Sequence, residues 1–393
     1  MDEKEIISTV LNDRNMSLEG VKTSWVKKQG IDLLAKYWIM LINSFGKGNL
    51  NKECNIFVDE IKNNNMINNL AATKREFIKH GATVKSICFY QFVSKNHVKV
   101  GITKSIILIV RCFFKSILVF VSAIFKKNSL KFTSKILINE FEEYTKLLNA
   151  EDKLFFIMSD HHFFSSIIAI NFTNKSHVIQ HGLVMGKSFY YPIRAGYFYA
   201  WGKHSKELLN NDPKVLVTGT YKFNEIVENK KNSEYDYNDL KNVVFCIGSL
   251  DHDSVKRKID ILLSIFDKTN IQLIIKDHPG SLFDSSQWQQ LYKNKRIIFY
   301  KEELLQNIDF DLAITENSTV IMDLIAMHKP FILFDELGYF DVYKDIIPNA
   351  QSENQLRNII SNLKNYNFAS ISDRLIKEEL NDGECSIYER TIE

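Results

Sequence analysis

Two short segments in the last third of the sequence combine residue types suited to gripping a phosphate. Lys276-Asp277-His278-Pro279 follows the apolar run Ile271–Ile275, and Thr315-Glu316-Asn317-Ser318-Thr319 closes the run Leu312–Thr315. A histidine placed there can donate to a phosphate oxygen, and the proline after it fixes the turn that aims it. Ser318 and Thr319 open the amphipathic run Val320–Met327, where unpaired backbone N–H groups and the helix dipole favour an anion. Lys276 adds positive charge. Each segment also has a plain explanation: a loop histidine in a proline turn, and a helix capped by Asn317 or Ser318. Together, at neighbouring strand ends, they define a candidate phosphate site of Ser249, Lys276, His278, Pro279, Thr315, Glu316, Asn317, Ser318 and Thr319.

The elements that must position these residues read as an alternation of short apolar strands and helices. Lys153–Met158, Ser176–Gln180, Tyr197–Trp201 and Val215–Val217 are predicted strands, with helices over Phe163–Ile170 and His204–Asn210. Glu228–Asp239 is polar and weakly patterned, as a linker would be. Beyond it the pattern restarts, with strands at Asn242–Ile247, Ile271–Ile275, Arg296–Tyr300, Leu312–Thr315 and Phe331–Phe334. Such alternation means a parallel sheet covered on both faces, here twice over. The expectation is an α/β chain of GT-B architecture, two doubly wound Rossmann-like domains facing across a cleft. The domains are 1–227 and 240–370, followed by a helical tail over 371–393 that packs back on the first. The first 150 residues read as helix-rich, with a helix over Ile31–Leu41, Ser17 as a cap and one strand at Val84–Val93.

The ordered set His181-Gly182, Tyr199-Ala200-Trp201-Gly202, Thr218-Gly219-Thr220, Ile275–Pro279, Thr315–Thr319 and Lys329-Pro330 resembles bacterial surface-polysaccharide transferases of the GT-B type. Among these are capsule and lipopolysaccharide glycosyltransferases using CMP-Kdo or CMP-nonulosonate, and the related CDP-glycerol glycerophosphotransferases. The resemblance spans Lys153 to Asp335. It implies that His181 acts as base or acceptor-site residue, and that His278, Ser318 and Thr319 hold the donor phosphate. Two departures stand out. The glycerophosphotransferase turn is usually Thr-Asp-Tyr-Ser-Ser, and the acidic base motif of sialyltransferases has no clean counterpart here.

Inverting displacement at an anomeric carbon needs the acceptor hydroxyl deprotonated on the face opposite the leaving group. With the donor on the second domain, the base belongs to the first. His181 is the leading candidate, because imidazole is near the required pKa without tuning, and Asp160 is the second. His161 and His162 are possible acceptor-side residues, although a polar helix start explains them as well. Metal-ligand spacing is absent; Asp309-Phe310-Asp311 has the letters of a two-aspartate metal motif but precedes a buried strand and reads as a solvated turn. The expectation is therefore no metal and no cofactor, with a nucleotide-sugar donor as substrate. Polyol-phosphate transfer from a CDP-polyol, or an inactive capsule-assembly binding protein, are the alternatives.

Length and charge set the remaining bounds. A chain of 393 residues, 45% hydrophobic and 25% charged, suits two ordinary domains. Five scattered cysteines and an acidic N-terminus point to a reducing, cytoplasmic setting. The net charge of +3 hides an asymmetry: thirteen Lys or Arg and a single acid lie between Lys74 and Lys135. Within that span, 102–127 is a basic amphipathic segment in which Arg111 and Lys115 share a helical face. Two such charges make a membrane-spanning helix costly but suit a helix lying among anionic headgroups. A buried helix with a solvated basic edge is the competing reading. Contact with the inner-membrane surface and a lipid-linked or oligosaccharide acceptor are the expected partners. Nucleic acid is not, since the cations alternate with core-type side chains.

Overall fold

The structure, a computed structural model, describes residues 23–46, 54–60, 64–92, 97–125, 129–148, 153–182, 184, 190–221, 240–248, 252–267, 269–277, 285–293, 296–300, 305–316, 320–338, 343–379 and 386–392. The Ser17 cap, the linker 228–239 and the candidates Ser249, His278, Pro279, Asn317, Ser318 and Thr319 lie outside the described residues.

The first half builds a six-stranded sheet from β1 (Cys54–Asp59), β2 (Val84–Cys88), β3 (Lys153–Ile157), β4 (Ser176–Ile179), β5 (Tyr197–Ala200) and β6 (Val215–Val217). Their order is β2-β1-β3-β4-β5-β6, and every pairing is parallel. The second half builds another parallel sheet from β7 (Asn242–Cys246), β8 (Gln272–Lys276), β9 (Ile297–Tyr300), β10 (Leu312–Thr315), β11 (Phe331–Phe334) and β12 (Asn349–Ala350). Its order is β12-β11-β10-β7-β8-β9, the doubly wound pattern of dinucleotide-binding folds.

Alternation along each strand explains why both sheets are buried on both sides. Ile56, Val58, Phe155 and Ile157 enter one core, while Phe57 and Phe156 between them enter another on the opposite face. In the second sheet Val243 and Phe245 face one core, and Val244 and Cys246 the other. Strands this apolar cannot tolerate a solvated face, and the connecting helices supply the cover. In the first half these include α1 (Thr23–Asn43), α2 (Asn64–Lys79), α3 (Ile102–Phe125), α4 (Ser129–Leu147), α5 (Phe163–Asn171) and α6 (Lys203–Leu208).

The sequence reading of the first 150 residues needs correction. Among the described residues it contains two strands, not one, and β1 sits between β2 and β3 in the sheet. Cys-Asn-Ile-Phe-Val-Asp is short and flanked by asparagine- and lysine-rich stretches that obscure its β pattern.

The two halves exchange anchors. Trp201, 1% exposed, leaves β5 and packs in the core of the second half with Leu324, Phe331, Tyr343 and Leu375. In return the helix Ile387–Ile392 lays Ile387 into the core with Phe57 and Phe77. Tyr388 stacks on His80 with ring centroids 4.4 Å apart. Replacing Trp201 with alanine removes a large side chain from a filled core, an expected loss of about 3–5 kcal/mol in urea unfolding. An unchanged midpoint would show that the second core closes without it.

Candidate functional site

In a parallel sheet the polar termini of strands collect at the carboxyl edge, and a crevice opens where strand order reverses. In the second half that point lies between β7 and β10. Thr315 pairs with Cys246, which pairs with Lys276, which pairs with Tyr300, so Thr315 and Lys276 stand on one row at the edge. β7 separates the two, and Thr315 is fully buried with its hydroxyl directed at the Cys246 and Glu316 carbonyls. Ser249, His278, Pro279, Asn317, Ser318 and Thr319 follow these strand ends in sequence and lie outside the described residues.

Glu316 is placed differently from a phosphate contact. Only 1% exposed, it accepts the Gly248 backbone N–H at 2.9 Å and the Lys258 ammonium. Lys258 comes from α7 (His252–Phe266), is itself buried, and lies 3.6 Å from Glu336. Arg257 grips the Glu336 carboxylate with both terminal nitrogens, holding it below the ordinary carboxylate range. Glu316 therefore locks the ends of β7 and β10 to α7. A buried anion with its own cation would repel a phosphate, so its assignment to phosphate binding is corrected to a strut.

In the first half the reversal lies between β1 and β3. Glu60, just past β1, accepts the N–H groups of Phe164 at 3.0 Å and Ser165 at 2.8 Å, and the Ser165 hydroxyl at 2.7 Å. These are the first free amides of α5, so the chain's own carboxylate occupies the anion position at that helix start. His162 is the N-cap residue of α5 and, with Asp59, Glu60 and Met158, lines a small cavity there. Lys74 pairs with Asp59 at 2.9 Å on the same rim.

Asp160 is buried, with one oxygen hydrogen-bonded and the other close to a histidine. One oxygen accepts the backbone N–H of Arg194 and, at 3.1 Å, that of Ala195; the other lies 3.3 Å from His161 Nε2. Arg194 Nη1 in turn donates to His161 Nδ1 at 2.6 Å, which leaves the proton of a neutral His161 on Nε2, towards Asp160. This cluster clamps the turn leading into β5. A Cβ on the next residue, Gly196, would run into the Thr173 carbonyl, so the turn has no slack. Asp160 is corrected from a candidate base to a clamp, and His161 belongs to the same clamp.

His181 presents the reverse case. Its Nδ1 lies 2.6 Å from the Met158 carbonyl, which can only accept, so the ring proton sits on Nδ1 and Nε2 keeps its lone pair. The hydrogen bond joins the carboxyl ends of β3 and β4. Tyr190 packs edge-on against the ring at 5.6 Å. Burial lowers the imidazole pKa, partly offset by the bond to Met158, so the neutral form prevails at pH 7. Half-buried His181 thus offers an unprotonated nitrogen at the carboxyl edge. His97 and His177 are unlike it: both are core residues, with pKa values pushed down by burial to about 3 and about 4.

The residue that holds the His181 loop escaped the sequence reading. Gln180 is fully buried; its amide donates to the Gly182 carbonyl at 2.8 Å and Ser205 Oγ at 3.0 Å, and its oxygen accepts the Trp201 N–H at 2.8 Å. Its own carbonyl accepts Asn69 Nδ2 at 2.7 Å, and Asn69 reaches Thr220 beyond β6. A glutamine at a strand end carries no motif signal. Asp311 is not a solvated turn residue: it accepts the N–H groups of Lys241 at 2.8 Å and Asn242 at 2.9 Å, setting the start of β7. Among the described residues no group of three or more His, Cys, Asp or Glu is arranged to hold a metal ion.

No family model matches the chain, and no curated protein sequence does. Solved structures do. UDP-GlcNAc 2-epimerase from Methanocaldococcus jannaschii superposes with TM-score 0.55 at 12% identity, over 82% of this chain and 98% of that one. The Neisseria meningitidis UDP-GlcNAc 2-epimerase gives 0.54 at 14%, over 86% and 98%. UDP-N-acetylglucosamine 2-epimerase from Rickettsia bellii gives 0.52 at 10%, over 82% and 95%. At these identities the likeness establishes the fold, GT-B, and nothing finer.

Removing Glu316 alone would leave Lys258 buried beside an empty strand end. Glu316→Ala is expected to cost about 3–5 kcal/mol, while Lys258→Met combined with Glu316→Leu recovers most of it. Urea denaturation of the two variants beside the unaltered chain measures this, and a harmless Glu316→Ala would refute the strut.

Proposed function

We propose that the chain is an inverting, metal-independent glycosyltransferase. It would move a sugar, such as a CMP-activated nonulosonate or Kdo, onto a bacterial surface glycan: capsule, O-antigen or lipooligosaccharide. The observation that carries this reading is His181, an imidazole whose tautomer is set by Met158 so that a basic nitrogen stands at the carboxyl edge of the first sheet. In the proposed step His181 Nε2 takes the proton of the acceptor hydroxyl as its oxygen attacks the anomeric carbon. The bond from that carbon to the donor phosphate breaks, and the nucleotide leaves with both bonding electrons. Its charge meets Lys276 and, by sequence position, His278, Ser318 and Thr319 at the second sheet's edge. Positive charge at the leaving group and a base on the opposite domain are what inversion requires.

Nucleotide release from a panel of CMP-sugars, UDP-sugars and CDP-glycerol tests the donor. CMP appearing from a CMP-sugar supports the reading, and CMP from CDP-glycerol marks polyol-phosphate transfer instead. Silence with every donor favours an assembly protein without turnover. With the true donor, His181→Asn is expected to lower kcat by about 10²–10⁴-fold with little change in donor KM. The rate of the unaltered enzyme falls as pH drops and Nε2 takes a proton. Because burial lowers this pKa, the fall lies below the ordinary imidazole value of about 6.5. Full turnover by His181→Asn would remove the base, and full turnover by His278→Ala would remove the phosphate contact.

A further inference from the structure

The outermost helix of the first half, α3, carries an apolar face that the fold leaves open. It packs on α1 and α4 through one narrow stripe: Ser105, Leu108, Cys112, Ser116 and Val119 are all buried. Trp38 Nε1 donates to Ser116 Oγ at 2.9 Å and Ser105 Oγ to the Ser44 carbonyl at 3.2 Å, fixing the helix's rotation. The rest of its circumference is exposed. Ten large apolar side chains between Ile102 and Val121 are exposed, Ile107 at 55%, Phe113 at 57% and Phe114 at 62% among them. At about 100° per residue they fall on one continuous arc opposite the buried stripe. A water-facing helix would carry polar groups there.

The cations are arranged as sharply. Lys104, Arg111 and Lys115 lie side by side along one border of the apolar arc, between it and the buried stripe. Arg111 is tied to Glu140 of α4 at 3.0 Å, which holds that border in register. From Lys99 to Lys135 the sequence has eight Lys or Arg and no acid. Apolar bulk flanked by basic groups, without neutralising carboxylates, is complementary to an anionic lipid surface: rings and aliphatic chains enter the acyl boundary and the cations meet headgroup phosphates. Among the described residues no helix is long and apolar enough to cross a membrane, and three cations on one flank suit a helix lying in the interface.

We infer that α3 docks this protein on the surface of an anionic bilayer, apolar arc down. The helix starts beside Ser44, close to where Asn43 donates to the Cys88 and Gln91 carbonyls at the carboxyl end of β2. Docking therefore holds the carboxyl end of β2, an outer strand of the first sheet, next to the start of the membrane-bound helix. The docking itself is independent of the transfer reading, because binding is measured without donor or acceptor.

Co-sedimentation of the full chain with phosphatidylglycerol vesicles and with phosphatidylcholine vesicles tests it. The expected result is at least tenfold stronger partition to the anionic vesicles, weakened by salt. Phe113→Ser with Phe114→Ser, and separately Lys104→Glu with Lys115→Glu, each reduce partition about tenfold or more. All four positions avoid the buried stripe, so folding should persist. Hydrogen exchange of the unaltered chain provides a check without variants, with vesicle-dependent protection expected over 102–121. A chain that stays in the supernatant with phosphatidylglycerol, or gains no protection there, overturns the inference. So does a dimer in solution that Phe113→Ser with Phe114→Ser dissociates while vesicles are ignored, since a second copy would then cover the face.

Discussion

Both sheets are entirely parallel and covered on both faces, and this constraint decides where polar chemistry can appear. Along a strand such as β3 or β10 nearly every side chain enters one core or the other. A charged group within that run would lose its hydration without compensation. Polar residues are therefore forced to the strand ends, and crossover connections give all strands of a sheet the same direction. The carboxyl edges thus collect Glu60, Asp160 and His181 in one half and Lys276, Thr315 and Glu316 in the other. The site is a consequence of the packing before it is a consequence of any motif.

Crowding at those edges creates its own demand. Groups that end up beneath the rim must find partners, and here they find them within the fold. Glu60 takes the first amides of α5, Asp160 takes those of Arg194 and Ala195, Glu316 takes Lys258 and Gly248, and Gln180 bridges Gly182, Ser205 and Trp201. Each of these pins a loop after a strand. His181 stands out against them, since the bond to Met158 uses only its proton-bearing nitrogen and leaves the other with its lone pair. Rigid clamps around an imidazole with a free lone pair are the arrangement that the proposed general-base step asks for.

Much of this was legible in the sequence, for a physical reason. Strands buried on both faces are near-continuous apolar runs, so Val215–Val217, Leu312–Thr315 and Phe331–Phe334 fall where their composition places them. Strand-end polar residues follow from the same runs. β1 was not legible, because six residues between lysine- and asparagine-rich stretches carry little pattern, and its central place comes from pairing with β2 and β3. Nor could sequence separate His181 from Asp160. Both are polar groups after apolar strands, and only the partners, a carbonyl for one and two backbone amides for the other, tell them apart. Glu316 failed for the same reason: its cation, Lys258, is 58 residues away.

The exchange of anchors between the halves bears on how such a site could work. Trp201 follows Gln180's acceptor contact directly, so the residue that fills the second half's core is bonded through its own N–H to the hub of the His181 loop. His204, three residues on, packs its ring against Tyr343 at 5.0 Å. The His181 loop is therefore joined by two short steps to the half that carries Lys276. Any movement of one half against the other has to repack Trp201 or carry the loop with it, and a buried indole makes the second course cheaper. Core packing at Trp201 therefore ties the His181 loop to the second half.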